Sequence, residues 1–222
     1  MAPLVIAQMN RFMPRIHGNG FRSEEHVDYR GPFEPPHRGY RPRGGCDTSA
    51  RSAASVSRII EDGSTIQVGY GYAPNALLSH LTKKKHLGIH TELLTDGIVE
   101  LMKSGVVDNS QKTIDRGKTV AAFCMGRAET YEYLHDNPSV EFKTIDYTNN
   151  PLIISQIKRM TAINSAMEID LTGQATAESL GSTFYSGIGG QADFMRGSLL
   201  APGGKSIRSE ERRVGKECRS RW

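Results

Sequence analysis

Three short stretches carry residue types that could do chemistry. Glu92, in GIHTELLTDG (residues 88–97), is a carboxylate with no basic neighbour in the sequence except His90. A carboxylate so placed can be a surface charge, an ion-pair partner or a nucleophile. The second stretch, GYGYAPN (residues 69–75), sets Gly69 and Gly71 ahead of Pro74 and Asn75. A glycine turn running into a helix suits a phosphate or pyrophosphate. It is also simply how a strand turns sharply into a helix. It lacks the third glycine of the dinucleotide fingerprint, so NAD is discounted. The third, GIGGQADF (residues 187–194), offers successive small residues whose backbone N–H groups can converge on an anion. Its plainer reading is a tight surface loop.

The elements that must position these residues alternate. VIAQM (5–9), STIQVGYG (64–71), LGIHTELL (87–94), TVAAFCMG (119–126) and VEFKTIDY (140–147) read as strands. Between them, Pro74 opens a helix over PNALLSHL, its missing N–H costing nothing in a first turn. GIVELMKSG (97–105) places Ile98, Leu101 and Met102 on one helical face and ends at Gly105. ETYEYLHDN (129–137) and PLIISQIKRM (151–160) read as helices, and AINSAMEIDLTGQATAE (162–178) as a strand pair. This spacing predicts the α/β class: an open, mostly parallel sheet covered by helices. In such a sheet chemistry gathers at the carboxyl ends of strands, where all three stretches fall.

Composition removes several alternatives. No apolar run approaches the roughly 18 residues of a membrane helix. The N-terminus lacks the apolar stretch and cleavage site of a signal peptide. Cys46, Cys124 and Cys218 are too widely spaced for a disulfide framework or a metal motif, so a reduced, cytoplasmic chain is expected. Cys124 reads as a core residue. Of 28 basic and 24 acidic residues, seven and three fall in 205–222, leaving 21 of each. The body is neutral and carries no electrostatic footprint for nucleic acid.

Two stretches interrupt the pattern. Residues 30–53 are rich in Arg, Gly and Pro without a period of 2 or 3.6. They read as a disordered linker, an Arg/Gly-rich RNA-binding segment, or translation in a wrong frame. Residues 206–222 follow the Gly203-Gly204 turn, lose the hydrophobic pattern, and look like translated vector or adapter sequence outside the fold.

Taken together and in order, IIEDGSTIQVGYG, KKHLGIHTELLTDGIVELM, VEFKTIDYTNNP, INSAMEIDLTGQ and YSGIGGQADFMRG resemble the acetyl-CoA hydrolase/transferase family over residues 4–29 and about 55–205. The resemblance implies transfer of CoA between an acyl-CoA and a small carboxylate. Glu92 would be the nucleophile, passing through a glutamyl–CoA thioester. Gly189 and Gly190 would supply the oxyanion hole. Gly69, Gly71, Pro74 and Asn75 would line the CoA site, and Gln191 would order the glycine loop or meet the acyl group. It implies CoA as substrate, no other cofactor and no metal. Acyl-CoA and a carboxylate would be the partners, without nucleic acid or membrane, and a homo-oligomer is allowed for the intact enzyme. A carboxylate ionised at neutral pH needs no general base, and a nucleophile should not be tied up in a salt bridge.

The departures from the family shape the domain reading. Residues 1–29 would be the end of a first domain, 30–53 an out-of-frame replacement for a connector, 54–205 an incomplete second, catalytic domain, and 206–222 a foreign tail. Such a truncated, CoA-transferase-like second domain is expected to be poorly active alone. A CoA thioesterase and a non-catalytic binding module using Arg38, Arg41 and Arg43 are the alternatives. Glu168 and His17 are expected to be structural.

Overall fold

The computed structural model describes residues 4–34, 47–69 and 71–210. Strands β1 (Ile6–Met9), β2 (His17–Gly18) and β3 (Tyr29–Pro32) open the chain. β1 and β3 pair with each other as a parallel ribbon outside the main sheet, so VIAQM is a strand but not a core strand. Helix α1 (Asp47–Ile59) follows. It begins inside the stretch read as irregular, and Ala53, Val56 and Ile60 pack at helical spacing into the core. Arg38, Arg41 and Arg43 lie outside the described residues.

From there strands and helices alternate. They run β4 (Thr65–Val68), α2 (Tyr72–Ser79), β5 (Gly88–Thr95), α3 (Asp96–Lys103), β6 (Thr119–Met125), α4 (Ala128–Leu134) and β7 (Val140–Phe142). The predicted strand 140–147 thus ends early. Thr144 caps a helical turn, α5 (Ile145–Thr148), and accepts the Thr148 N–H at 3.0 Å. Tyr147 docks on Asp115 through a 2.9 Å bond that an extended chain would forgo. The predicted helix 151–160 shrinks to α6 (Pro151–Ile154); the chain then passes through turns, with Arg159 at φ 55°, a value a helix cannot hold, into β8 (Met160–Ala166).

β8 belongs to the main sheet and not to a local strand pair. The small hairpins after it are β9 (Glu168–Ile169) with β10 (Ala175–Thr176), and β11 (Ser179–Leu180) with β12 (Thr183–Phe184). Helix α7 (Gln191–Leu200) leads to β13 (Lys205–Glu210).

The main sheet has the order β13-β8-β4-β5-β6-β7-β2. Every neighbouring pair is parallel. The chain moves outward from β4 to β7, then returns to the far side of β4, so the switch point lies between β4 and β8. One face, carrying Ile66, Val68, Ile89, Ala121, Phe142 and Ile163, packs on α1 to α4. On the other, Met160 and Ala162 pack on Ile154, Ile157, Phe194 and Met195 of the α6–α7 side.

The reading of 206–222 as outside the fold needs correcting at its start. Ser206–Glu210 pair with Ala162–Ala166, and Ile207 packs on the core. Ile207 is the single apolar residue of this strand, so the sequence shows no period of two to mark it before the run of charges. β13 also pairs the backbone groups of β8 that an edge would leave open. A chain stopped after Gly204 should therefore unfold in urea with at least about 2 kcal/mol less stability than one stopped after Glu210, given the loss of a packed isoleucine and a strand pairing. Equal midpoints would remove β13 from the fold.

Candidate active site

β5 carries Glu92 in the middle of the sheet. Side chains alternate along the strand, so His90 and Glu92 share a face. That face meets α7: the His90 ring lies edge-on to Phe194 at 6.2 Å, and Glu92 touches the backbone at Gly190. Glu92 is half-buried, and among the described residues no Lys, Arg or His lies within salt-bridge distance of it. Its bond is from Asn149 Nδ2, which donates to Oε2 at 2.9 Å.

Asn149 reaches the carboxylate because α5 and α6 are short. Asn149 ends α5, its N–H donating to Ile145 O at 2.9 Å, and the side chain turns back over β5. Thr148 Oγ1 donates to Asn149 Oδ1 at 3.0 Å, which leaves Nδ2 to face Glu92. Sequence reasoning missed Asn149. The signal was TNNP itself, an amide pair just ahead of a proline after a strand.

Gly190 is buried against both groups. A Cβ there would overlap Glu92 Oε2 and Asn149 Nδ2. Gly190 has φ −73° and ψ 0°, so crowding, and not a left-handed backbone, requires glycine. Gly187 and Gly189 stand in the open: a Cβ on either would meet nothing within 4 Å, and neither has a positive φ. Among the described residues, the N–H groups of Gly189 and Gly190 make no backbone hydrogen bond. The loop then enters α7, a ten-residue helix, at Gln191, whose buried Nε2 has no partner among the described residues.

The remaining expected residues fall in two places. Gly69 ends β4 at the switch point, its N–H on Ile163 O at 2.8 Å and its Cα against the Asn164 amide. Asn164 and Gln67 exchange two buried amide bonds of 2.9 and 3.0 Å. Gly71 has φ 147°, a value that favours glycine, and precedes α2. Pro74 lies in the first turn of α2, two residues later than expected of a helix opener. Asn75 lines a groove of about 1080 Å³ with Leu78, Asp96 and Arg127, to which Glu92 does not contribute.

Glu168 accepts the Gly181 N–H at 2.9 Å and holds the hairpins together. His17 pairs with Asp136 at 3.0 Å on β2, at the sheet edge three strands from β5. Burial, with Asp96 nearby, pushes the Cys124 thiol up to about 12. Among the described residues no cluster of His, Cys, Asp and Glu could hold a metal, and no helix is long and apolar enough to cross a membrane.

The layer beneath Glu92 is strongly perturbed. His90 is fully buried, and burial together with the Lys112 charge pushes it down to about 4. Burial pushes Lys112 down to about 7, against the pull of Asp115. Lys112 Nζ donates to Ile89 O at 2.8 Å and Lys118 O at 2.7 Å, so it braces β5 through its backbone. Lys143 pairs with Asp115 at 2.8 Å.

A parallel α/β sheet with a carboxylate at its centre that pairs with no cation among the described residues, and a glycine loop pressed on it, defines the class of site. Residues 126–217 match the acetyl-CoA hydrolase/transferase C-terminal domain. The chain is 43% identical over 206 residues to 4-hydroxybutyrate coenzyme A transferase of Clostridium kluyveri, covering 93% of this chain and 48% of that protein. The crystal structure of RipA from Yersinia pestis superposes with a TM-score of 0.88 at 38% identity, over 93% and 47% of the two chains. A 4-hydroxybutyrate CoA-transferase of Porphyromonas gingivalis gives 0.83 at 35% identity, over 93% and 49%. At greater distance, an acetyl-CoA hydrolase of Saccharomyces cerevisiae is 29% identical over 154 residues, 68% of this chain and 28% of its own. The chain belongs to the acetyl-CoA hydrolase/transferase family, and it spans about half the length of the first of these curated relatives.

Two outcomes follow from this geometry. Gly190→Ala should destabilise the chain by about 1–3 kcal/mol in thermal denaturation, as overpacking does, and Gly189→Ala should change it by less than about 0.5. Equal effects would contradict the crowding at Gly190. The unfolded chain takes up a proton at His90 near pH 6.5, whereas the folded chain refuses it until about 4. This contribution is fully present above pH 6.5 and is lost as the pH falls toward 4, in all about 3 kcal/mol by linkage. Urea titrations across that window should show the fall, and His90→Met should flatten it.

Proposed function

We propose that the intact protein transfers CoA between an acyl-CoA and a small carboxylate, with Glu92 as nucleophile. The observation that carries this reading is the pairing of Glu92: one amide donor, one glycine backbone and no cation among the described residues. A free carboxylate can attack a thioester, whereas one held by lysine or arginine would first have to break that pair.

Glu92 Oε attacks the thioester carbonyl, the C–S bond breaks, and CoA thiolate leaves a glutamyl–acyl anhydride. The thiolate then attacks the glutamyl carbonyl and displaces the donor's carboxylate, giving a Glu92–CoA thioester. An acceptor carboxylate attacks that thioester and forms a new anhydride as thiolate leaves. Thiolate attack on the acceptor's acyl carbon finally releases the new acyl-CoA and restores Glu92. No proton is consumed at any step.

Each attack creates an oxyanion that wants donors already in place. Asn149 Nδ2, bonded to Glu92 Oε2, sits where the oxyanion forms when the glutamyl carbonyl is attacked. The N–H groups of Gly189 and Gly190, uncommitted to backbone partners, suit the acyl oxyanion. Gly69 at the switch point and Asn75 in the helical groove would meet CoA along two separate parts of the ligand. Hydrolysis, with water in place of the acceptor, is less favoured because the named CoA-transferases resemble this chain more closely than the hydrolase does.

In a version extended to its relatives' length, Glu92→Ala should abolish acyl-CoA:carboxylate exchange and Glu168→Ala should not. Asn149→Ala should lower kcat by roughly a hundredfold or more, the usual loss for one oxyanion donor. Borohydride reduction after incubation with acyl-CoA should mark Glu92 in a peptide map. Label on Glu168, or full activity in Glu92→Ala, would sink the mechanism.

A further inference from the structure

We infer that His90 is a positioning residue for Glu92. Its buried ring fixes the carbonyl of Thr148 and thereby aims the Asn149 amide at the carboxylate. The inference rests on the proposed role of Glu92.

His90 Nε2 lies 2.9 Å from Thr148 O. A carbonyl only accepts, so Nε2 carries the proton and Nδ1 is a bare acceptor. Nδ1 is buried and has no partner among the described residues. The ring otherwise meets aromatic neighbours, with Tyr147 and Phe194 each at 6.2 Å between centroids. An apolar side chain would fill that niche without leaving a buried nitrogen unpaired, which is costly. The bond to Thr148 is therefore the one polar service the imidazole performs.

What that bond holds is specific. Thr148 is the last residue of α5, where carbonyls lose their helical partners. Its hydroxyl sets the Asn149 amide, and that amide donates to Glu92. The links run from His90 to Thr148, to Asn149, to Glu92. The chain of contacts starts and ends on β5, with its two ends two residues apart, about 7 Å along a strand. A strand is stiff over that distance, so the post and the carboxylate keep their spacing while α5 is fastened between them.

The test reads geometry without turnover, so it fails separately from the nucleophile assignment. The probe is the side-chain amide pair of Asn149 in 15N-resolved NMR spectra of the 222-residue chain, identified by its loss in Asn149→Asp. Glu92→Ala should shift this pair and speed its proton exchange, showing that it reports the bond. His90→Gln keeps a donor near Nε2 and should retain the parent signal. His90→Met has a similar shape without the donor. It should move the pair toward the Glu92→Ala position and raise its exchange on the order of tenfold. Amide protection in β5 and β6 should stay unchanged. An unmoved pair in His90→Met, identical behaviour of the Gln and Met variants, or no response to Glu92→Ala would each overturn the inference. If His90→Met does not fold, Thr148→Val cuts the next link and decides. A parent-like Asn149 pair in that variant overturns the inference, and a displaced one supports it.

Discussion

Gly190 lies so close to the Glu92 carboxylate and the Asn149 amide that no side chain fits there, and the surrounding architecture serves this contact. Three separate parts of the chain must meet within van der Waals distance: the middle of β5, the end of α5, and the loop entering α7. A backbone can approach a carboxylate that closely only through glycine. The fold is therefore constrained at one point by the absence of a methyl group. The helical side of the sheet carrying α6 and α7 has to be placed by its own core, built from Ile154, Ile157, Phe194 and Met195.

The two faces of the sheet divide the work. The face under α1 to α4 is apolar and continuous, and it holds the strands in register. The opposite face buries polar groups in the centre, with Gln67 and Asn164 bonded to each other, His90 bonded to Thr148, and Glu92 to Asn149. Such groups are tolerated because each finds a partner, and they specify a geometry that an apolar layer would leave loose. The central strand β5 takes part in both layers, with Ile89 on the apolar side and His90 and Glu92 on the other.

β4, β5 and β6 are legible in the sequence because their apolar runs are bounded by glycine or helix signals. β7 is overextended there, since IDY looks like strand until the Tyr147–Asp115 bond and the Thr144 cap are known. β13 is invisible because its pairing depends on the open edge of β8, which no local pattern announces. Within the site, Glu92 and the glycine loop can be picked out by motif. Which glycine is sterically required cannot: only three-dimensional contact separates Gly190 from Gly189. Asn149 is hidden because a turn between two short helices has no period, and its reach to Glu92 comes from where α5 stops.

The charges buried under β5 show how a carboxylate can be kept unpaired in a site rich in cations. Lys112 is inside the protein, yet its ammonium donates to the carbonyls of Ile89 and Lys118. Its stem packs against Gly88, on the face that carries His90 and Glu92, but with its ammonium committed to these carbonyls it supports the strand and makes no ion pair with the carboxylate. Lys143 is taken by Asp115, which also accepts from Tyr147. His90 is pushed toward its neutral form by burial and by Lys112, so it does not offer Glu92 a cation at neutral pH. Had any of these three groups paired with Glu92, the ion pair would have to be broken before the attack on a thioester that we propose, at the high cost of leaving a buried charge alone. Backbone carbonyls, Asp115 and burial instead absorb the positive charge one layer down. The neutral donor that meets Glu92 is Asn149, which orients the carboxylate without neutralising it.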